Sequence, residues 1–258
     1  MKIDWSICSQ QGERPENQDR YATHITEDRA MFILCDGVAG TDGGAVAAQL
    51  VCDTLLEQLS QALLFTPALT LEALKQCQQK LQQAQRSNPK FSQMSTTVAA
   101  LFIDRLNTQV WWAHAGDSRV YYFCHGELNQ VTRDHSLAQQ LHDAGYENSG
   151  INSNLLYNAL GIAQPREVSQ SLPLPLEDGD AFIVCSDGFW RHLPGETMAQ
   201  ALRMVTRCDE WLTLMAHRLD TVKKSDNLSA MGIWVGEPEE TTLIYSQADA
   251  EQLLPRRT

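Results

Sequence analysis

The sequence predicts an α+β domain in which blocks of β-strands alternate with helices. Strand patterns in the middle of the chain are closely spaced and joined by short turns, which favours antiparallel pairing over repeated βαβ units. Helical patterns with a 3.6-residue period lie between the strand blocks, and this interleaving indicates layers of sheet and helix. The chain has 258 residues, of which 43% are hydrophobic and 20% charged, a composition that supports a large packed core.

Nine strands and four helical regions are predicted along the chain. Alternation of apolar and polar residues, or an apolar run that stops at a turn residue, predicts strands over 3–7, 29–35, 96–103, 109–115, 119–124, 128–131, 168–172, 181–185 and 227–235. Apolar residues at helical spacing from Ala45 to Leu63 predict the first helix, with Thr41 or Asp42 as its N-cap. Further helices are predicted over 71–86, 137–144 and 196–222, the last region as one or two helices.

The composition predicts one domain and excludes several classes of function. No linker or internal repeat interrupts the chain, so residues 1–236 are expected to form a single domain, with 237–258 as a polar C-terminal tail. The 20 basic and 32 acidic residues give a net charge of −12, which argues against nucleic acid and anionic membranes as partners. No apolar run is long enough to span a membrane. The seven scattered cysteines lack a C-x-x-C pair, so we expect reduced thiols and a cytoplasmic location.

Aspartates recur at the ends of predicted strands, beside glycine or asparagine. Asp36 and Asp187 each follow a buried apolar run and precede a glycine, while Asp117 and Asp226 lie at the edges of other strands. A single Asp-Gly pair is usually a turn, but several carboxylates after buried strands would repel one another unless a cation neutralised them. Oxygen ligands select hard cations, so the pattern predicts Mg²⁺ or Mn²⁺.

Arg14 adds a candidate phosphate ligand, because its guanidinium can bind two phosphate oxygens. Taken alone, it could equally be a surface residue paired with Glu13 or Glu16. Together with the aspartates it predicts a site for a phosphate and two divalent cations. Two such ions can activate a bridging hydroxide as the nucleophile and stabilise an in-line displacement at phosphorus, with no covalent enzyme intermediate.

Eight short motifs resemble those of the metal-dependent protein phosphatases of type 2C, in particular the bacterial serine/threonine branch. They are residues 14–19 (R-P-E-N-Q-D), 35–40 (C-D-G-V-A-G) with 43–44 (G-G), 95–97 (S-T-T), 115–119 (A-G-D-S-R), 132–136 (T-R-D-H-S), 159–161 (A-L-G), 185–188 (C-S-D-G) and 225–227 (S-D-N). Each motif alone is weak, but their order and spacing agree from about Ile3 to Val235.

The resemblance implies a four-layer α-β-β-α sandwich of two antiparallel sheets flanked by helices, with the metal site in a cleft at one end. It implies that Asp36 bridges two metals and that the Gly37 carbonyl binds one of them. Asp187 and Asp226 would bind the other metal. Asp19 would act through a metal-bound water, and Arg14 would hold the substrate phosphate. Asp117 with Asp187 could bind a weaker third metal.

The sequence departs from the family pattern at three places. Gln18 replaces the usual glutamate, which lowers the charge of the site and with it the expected affinity for one metal. Val38 cannot act as the proton-donating histidine of animal members. The flap region, residues 145–157, is short and polar, which could open the cleft or change the choice of substrate.

Two alternatives compete with the metal-dependent hydrolase. Cys8 with Arg14, and Cys185 with Arg191, match the C-x₅-R spacing of cysteine-dependent phosphatases, but Glu13 and Asp187 would place negative charge in a loop meant for phosphate. A non-catalytic phosphoprotein-binding relative, acting as a regulatory module, would be expected to lack the metal-binding aspartates, and these are present.

We therefore predict a monomeric phosphoserine/phosphothreonine phosphatase that uses two Mn²⁺ or Mg²⁺ ions. By resemblance, its substrates would be the phosphoprotein products of a bacterial Ser/Thr kinase in signalling or in a secretion apparatus.

Overall fold

A computed structural model describes residues 1–38, 43–146, 155–219 and 226–236. The chain divides into two compact units, which we describe separately. The first unit comprises residues 1–17, 121–131 and 176–258, and the second comprises residues 18–120 and 132–175. Among the described residues are two antiparallel sheets flanked by helices, so the predicted α+β class is confirmed.

The described chain contains eleven strands and six α-helices. The strands are β1 (Ile3–Gln10), β2 (Asp19–Ile25), β3 (Arg29–Asp36), β4 (Val98–Asp104), β5 (Gln109–Ala115), β6 (Arg119–Cys124), β7 (Glu127–Val131), β8 (Ser169–Gln170), β9 (Leu174–Pro175), β10 (Ala181–Cys185) and β11 (Leu228–Val235). The helices are α1 (Gly44–Ser60), α2 (Pro67–Ser87), α3 (Leu137–Asp143), α4 (Asp187–Trp190), α5 (Gly195–Leu202) and α6 (Cys208–Leu219), and a 3₁₀ turn spans Pro89–Phe91.

The sheet of the first unit has the strand order β1-β11-β10-β6-β7. Strand β11 lies between β1 and β10, pairs antiparallel with both, and is buried over its whole length. Helices α5 and α6 pack on this sheet through Met198, Trp211 and Met215, all of which are fully buried. Because β11 begins just after Asp226 and β10 ends just before Asp187, both aspartates lie at one end of the sheet.

The sheet of the second unit has the order β2-β3-β4-β5-β8. Strands β3 and β4 are almost entirely buried, since they lie at the centre of the sheet and carry continuous apolar sequence. Helices α1 and α2 cover one face through residues such as Val51, Leu55 and Leu74. Register pairs Asp19 of β2 with Asp36 of β3, which puts two of the candidate metal ligands side by side.

The ends of α1 and α2 differ from the predicted ones. Helix α1 ends at Ser60, where the Arg29 guanidinium binds the chain: Nη1 donates to the carbonyls of Leu59 and Ala62 at 3.1 and 2.7 Å. Leu63 therefore lies outside the helix and is 99% exposed, so its predicted core position is wrong. Helix α2 starts at Pro67, four residues before the predicted start, and its N-cap is Thr66.

The remaining predictions agree with the structure except at four places. Strand β2, strand β9 and the short helix α4 were not predicted, and the segment predicted as a strand over 168–172 forms only the two-residue strand β8. The described part of the region 196–222, which was predicted as one or two helices, contains the two helices α5 and α6. The proposed N-caps Thr41 and Asp42, most of the flap region and the tail over 237–258 lie outside the described residues. One domain over 1–236 stays a prediction. Within the described ranges, no helix is long and apolar enough to cross a membrane.

Candidate active site

The second unit brings Asp19 and Asp36 together on neighbouring strands. The two residues are directly opposite each other in the β2–β3 register, and Asp19 is only 4% exposed. Like charges at directly opposed positions of an antiparallel pair repel and destabilise it. A bound cation would remove this repulsion, so the arrangement is suited to a metal ion held by carboxylate oxygens.

The main chain of Asp36 is held by two threonines of the S-T-T motif. The amide of Asp36 donates to Thr97 Oγ1 at 3.0 Å, and its carbonyl accepts from the Thr97 amide at 2.8 Å and from Thr96 Oγ1 at 2.9 Å. Thr97 Oγ1 also lies 2.7 Å from Ser118 Oγ, next to Asp117. The sequence alone does not indicate what the S-T-T motif does. Its threonines position Asp36 and connect it to the loop that carries Asp117.

Close backbone packing surrounds Gly37, the candidate carbonyl ligand. A Cβ atom added at Gly37 would lie 2.4 Å from the carbonyl carbon of Gly44, so only glycine fits here. The Gly37 amide donates to the Gln18 carbonyl at 3.3 Å, and the Gln18 side chain lies against Gly44 at the start of α1. Gln18 thus packs beside the Asp19–Asp36 pair, in the place where the sequence departs from the family's glutamate.

In the first unit, Arg14 pairs with Asp226 across 212 residues of sequence. Arg14 Nε donates to Asp226 Oδ1 at 2.8 Å and Nη2 donates to Oδ2 at 2.7 Å, which is a bidentate ion pair. A guanidinium in this fork geometry binds carboxylate and phosphate in the same manner. The residue predicted to hold phosphate therefore binds a residue predicted to hold metal.

Asp187 begins helix α4 and forms a second ion pair. Its Oδ2 lies 2.8 Å from Arg191 Nη2, one helical turn further on. Burial raises the pKa of Asp187, the nearby Asp226 carboxylate raises it further, and Arg191 and Arg14 oppose the rise. Two carboxylates and two arginines of the first unit thus form one charged cluster.

Asn227 organises this cluster, although no role for it could be predicted from its motif. It is 5% exposed, and its Nδ2 donates to the carbonyls of Gln11 and Glu16 at 2.8 and 3.0 Å. These two carbonyls lie on either side of Arg14 in the chain. Asn227 therefore fixes the loop from which Arg14 reaches Asp226.

Asn227→Ala is expected to lower the free energy of unfolding by about 2 kcal/mol, because the carbonyls of Gln11 and Glu16 both lose the buried side chain that donates to them. Urea denaturation measures the change. Asn129→Ala, at an exposed position on β7, is the matched control and should change stability by less than about 0.5 kcal/mol. Equal effects of the two substitutions would contradict the anchoring role of Asn227.

The candidate ligand atoms are of the chemical type that binds hard divalent cations. Asp19, Asp36, Asp187 and Asp226 offer carboxylate oxygens, and oxygen ligands are those that Mg²⁺ and Mn²⁺ take. Among the described residues, no group of three or more His, Cys, Asp or Glu side chains is arranged to hold a metal ion. Asp187 and Asp226 form ion pairs with Arg191 and Arg14. These oxygens suit the metals, but Asp187 and Asp226 have to break their ion pairs with Arg191 and Arg14 before they can serve as ligands.

Burial lowers the pKa of two histidines of the second unit, His114 and His135. His135 Nδ1 accepts from Asn158 Nδ2 at 3.2 Å and from the Gly116 amide at 3.4 Å, so Nδ1 carries no proton and Nε2 donates to Ser169 Oγ at 2.9 Å. The His114 ring stacks on His135 with 4.5 Å between ring centres. Burial, followed by the nearby His114 and Arg166, lowers the pKa of His135 to about 4.

The free energy of unfolding is therefore expected to decrease as the pH is lowered. Below pH 6.5 the unfolded chain binds a proton at residue 135 that the folded chain does not take until about pH 4, so stability is lost as the pH falls through this window. From pH 7.5 to 5.5 the loss from His135 is about 1 kcal/mol, measurable by urea denaturation at both pH values. In His135→Gln, the loss of stability between pH 7.5 and pH 5.5 should be smaller by about 1 kcal/mol. A slope that the substitution leaves unchanged would contradict the assignment.

Comparison with known proteins identifies the family. The sequence profile described as "Protein phosphatase 2C" matches residues 9–231. The serine/threonine phosphatase stp of Listeria monocytogenes serotype 4b is 26% identical over 232 residues, which cover 84% of this chain and 90% of that protein.

Solved structures share the fold. The catalytic domain of the serine/threonine protein phosphatase PstP, in complex with two manganese ions, has a TM-score of 0.78 at 24% identity, covering 91% of this chain and 98% of that one. PppA of Pseudomonas aeruginosa, a regulatory component of the type VI secretion system, has a TM-score of 0.74 at 23% identity, covering 91% and 98%.

The chain belongs to the protein phosphatase 2C family. It is a protein phosphatase enzyme of the kind that the eight motifs predicted, and the resemblance drawn from them is confirmed.

Proposed function

We propose that this chain hydrolyses phosphoserine and phosphothreonine in proteins with the help of two Mn²⁺ or Mg²⁺ ions. The observation that carries the proposal is the pairing of Asp19 with Asp36 at the edge of the second unit's sheet, in the motif order of the family. The manganese ions bound to PstP and the name of the Listeria phosphatase support the choice of metal and of substrate.

We assign the metal ligands from the family motifs. Asp36 would bridge the two ions and the Gly37 carbonyl would bind one of them, while Asp19 would act through a water. Asp187 and Asp226 would bind the other ion, and Asp117 with Asp187 would form a weaker third site. When bound, the two ions supply an activated water that attacks phosphorus, and they offset the charge of the phosphate.

The chain's own residues orient the substrate. Arg14 would exchange its bidentate contact with Asp226 for a bidentate contact with two phosphate oxygens, since the same fork fits both groups. Asn227 would keep the Arg14 loop in place during this exchange. Gln18 is neutral, so we expect weaker binding of one ion than a glutamate would give. Val38 has no proton to donate, so a water held at the metal site would protonate the leaving group.

We propose phosphoprotein products of a bacterial Ser/Thr kinase as the substrates, a role in signalling, and a monomeric state. A reducing, cytoplasmic location is supported by the seven cysteines, which are all free thiols.

Phosphate release from matched phosphoserine, phosphothreonine and phosphotyrosine peptides tests the proposal. We expect turnover of the first two with Mn²⁺, little turnover of the third, and none in EDTA. A non-catalytic relative would bind these peptides without releasing phosphate. Activity that survives EDTA but is lost on thiol alkylation would instead favour a cysteine nucleophile such as Cys8 or Cys185.

A further inference from the structure

A cleft outside the candidate active site lies in the second unit, between helix α2 and the chain from Leu160 to Val168. It has a volume of about 380 Å³. Leu71, Leu74, Leu160 and Val168 give it an apolar lining, and the volume is within the range of sites that bind a ligand or a large side chain.

The rim of the cleft carries two cations. Lys75 and Arg166 are both exposed, on opposite walls, and Glu167 is the only carboxylate among the described residues that line the cleft. Lys80 on the same helix pairs with Glu57 at 2.8 Å, whereas Lys75 has no hydrogen-bond or ion-pair partner among the described residues. In a chain with a net charge of −12, this local excess of positive charge favours an acidic partner.

The wall that carries Arg166 is held in place. Buried Asn158 accepts from the Arg166 amide at 3.0 Å and donates to the Glu167 carbonyl at 3.1 Å. The Arg166 guanidinium lies 4.6 Å from the centre of the Tyr157 ring. A wall fixed in this way loses little freedom when a partner binds.

Gln78 of helix α2 ties the helix to the opposite wall of the cleft at Gly161. Gln78 Oε1 accepts from the Gly161 amide at 2.7 Å, while its Nε2 is buried and has no acceptor among the described residues. Leu160 exchanges two backbone hydrogen bonds with Thr96, which holds Asp36, so the cleft is joined directly to the strands of the candidate active site.

We propose that this cleft docks a peptide segment of the phosphoprotein substrate in which a large apolar side chain is flanked by acidic residues. The apolar side chain fills the cleft, and the acidic residues pair with Lys75 and Arg166. This assignment rests on the proposed function, because the docked peptide is taken to be part of the phosphoprotein that the enzyme dephosphorylates.

Fluorescence anisotropy with an unphosphorylated, fluorescein-labelled peptide tests the docking step alone. The probe carries one phenylalanine between two pairs of aspartates. We expect Lys75→Glu and Arg166→Glu each to weaken binding about tenfold, and the control Lys80→Glu to change it less than about twofold. Replacing the phenylalanine of the probe by serine should also weaken binding about tenfold. Equal binding to Lys75→Glu and wild type, or equal binding of both probes, would overturn the proposal.

Steady-state kinetics test whether binding in the cleft contributes to turnover of the substrate. With a phosphothreonine peptide that carries the same acidic–apolar segment, Lys75→Glu should raise KM about tenfold and leave kcat unchanged, while hydrolysis of p-nitrophenyl phosphate stays the same. An unchanged KM would overturn the substrate-docking role. Wild-type protein that binds the probe but hydrolyses neither substrate with Mn²⁺ would refute the proposed function and leave the docking site standing, so the two failures are distinguishable.

Discussion

Asp36→Asn is expected to lower kcat/KM for a phosphothreonine peptide by about 10³-fold or more. The amide keeps the size and shape of the side chain but removes the negative charge that would bridge two cations, and even residues that only support a metal ligand commonly cost 10- to 100-fold when changed. The backbone contacts of Asp36 with Thr96 and Thr97 do not involve the carboxylate, so the fold should persist.

Initial rates with saturating Mn²⁺, together with circular dichroism, measure this effect. Asp53→Asn is the control, because Asp53 is an exposed residue of α1 whose carboxylate, within the described ranges, accepts only from Gln49 Nε2. The control should retain wild-type activity. An Asp36→Asn enzyme with activity within a few-fold of wild type would show that this carboxylate does not serve the reaction.

Gly188→Ala is expected to lower the free energy of unfolding by about 3 kcal/mol or more and to reduce activity as well. A Cβ at residue 188 would lie 2.1 Å from the carbonyl oxygen of Asn227, and backbone cannot yield as a side chain does. The clash pushes apart the two segments that carry Asp187 and Asp226. Thermal and urea denaturation measure the stability, and Mn²⁺-dependent phosphate release measures the activity.

Gly232→Ala provides the matched control in the same unit. The three atoms nearest to a Cβ there belong to the Leu212 and Trp211 side chains and lie no closer than 3.5 Å, which is ordinary contact in a buried strand. We expect a change in stability of about 1 kcal/mol or less. If Gly188→Ala were as stable and active as Gly232→Ala, the close approach of the Asp187 and Asp226 segments would have no importance for the enzyme.

Elements with unbroken apolar sequence could be predicted closely. Strands β5, β6 and β10 begin and end at their predicted residues, because each apolar run is bounded by turn residues. Strand β2 could not be recognised in the same way. It is an edge strand of mixed polarity, and its pairing is dictated by the neighbouring β3.

Helix ends depended on contacts that the local sequence does not show. Helix α1 stops where Arg29 binds its last carbonyls, and Arg29 lies on a strand about 30 residues away. The start of α2 did have a local signal, a threonine followed by proline, but the apolar period begins only at Leu71. The prediction followed the apolar period and missed the cap.

The candidate site could be predicted as a set of residues but not as a set of contacts. Asp36 and Asp187 stand out because each ends a buried strand beside a glycine. The ion pair between Arg14 and Asp226 joins residues 212 positions apart, and the sequence suggested Glu13 or Glu16 as partners instead. Asn227 was part of a recognised motif, yet its two hydrogen bonds to the Arg14 loop follow only from the fold.

Titration of the metal-free chain with Mn²⁺ tests the central claim most directly, with bound ions and phosphate release from a phosphothreonine peptide measured in the same samples. We predict that turnover rises with occupancy, that two ions bind per chain at full activity, and that EDTA reverses both. Full turnover without any divalent metal, or two tightly bound ions without turnover, would contradict the account.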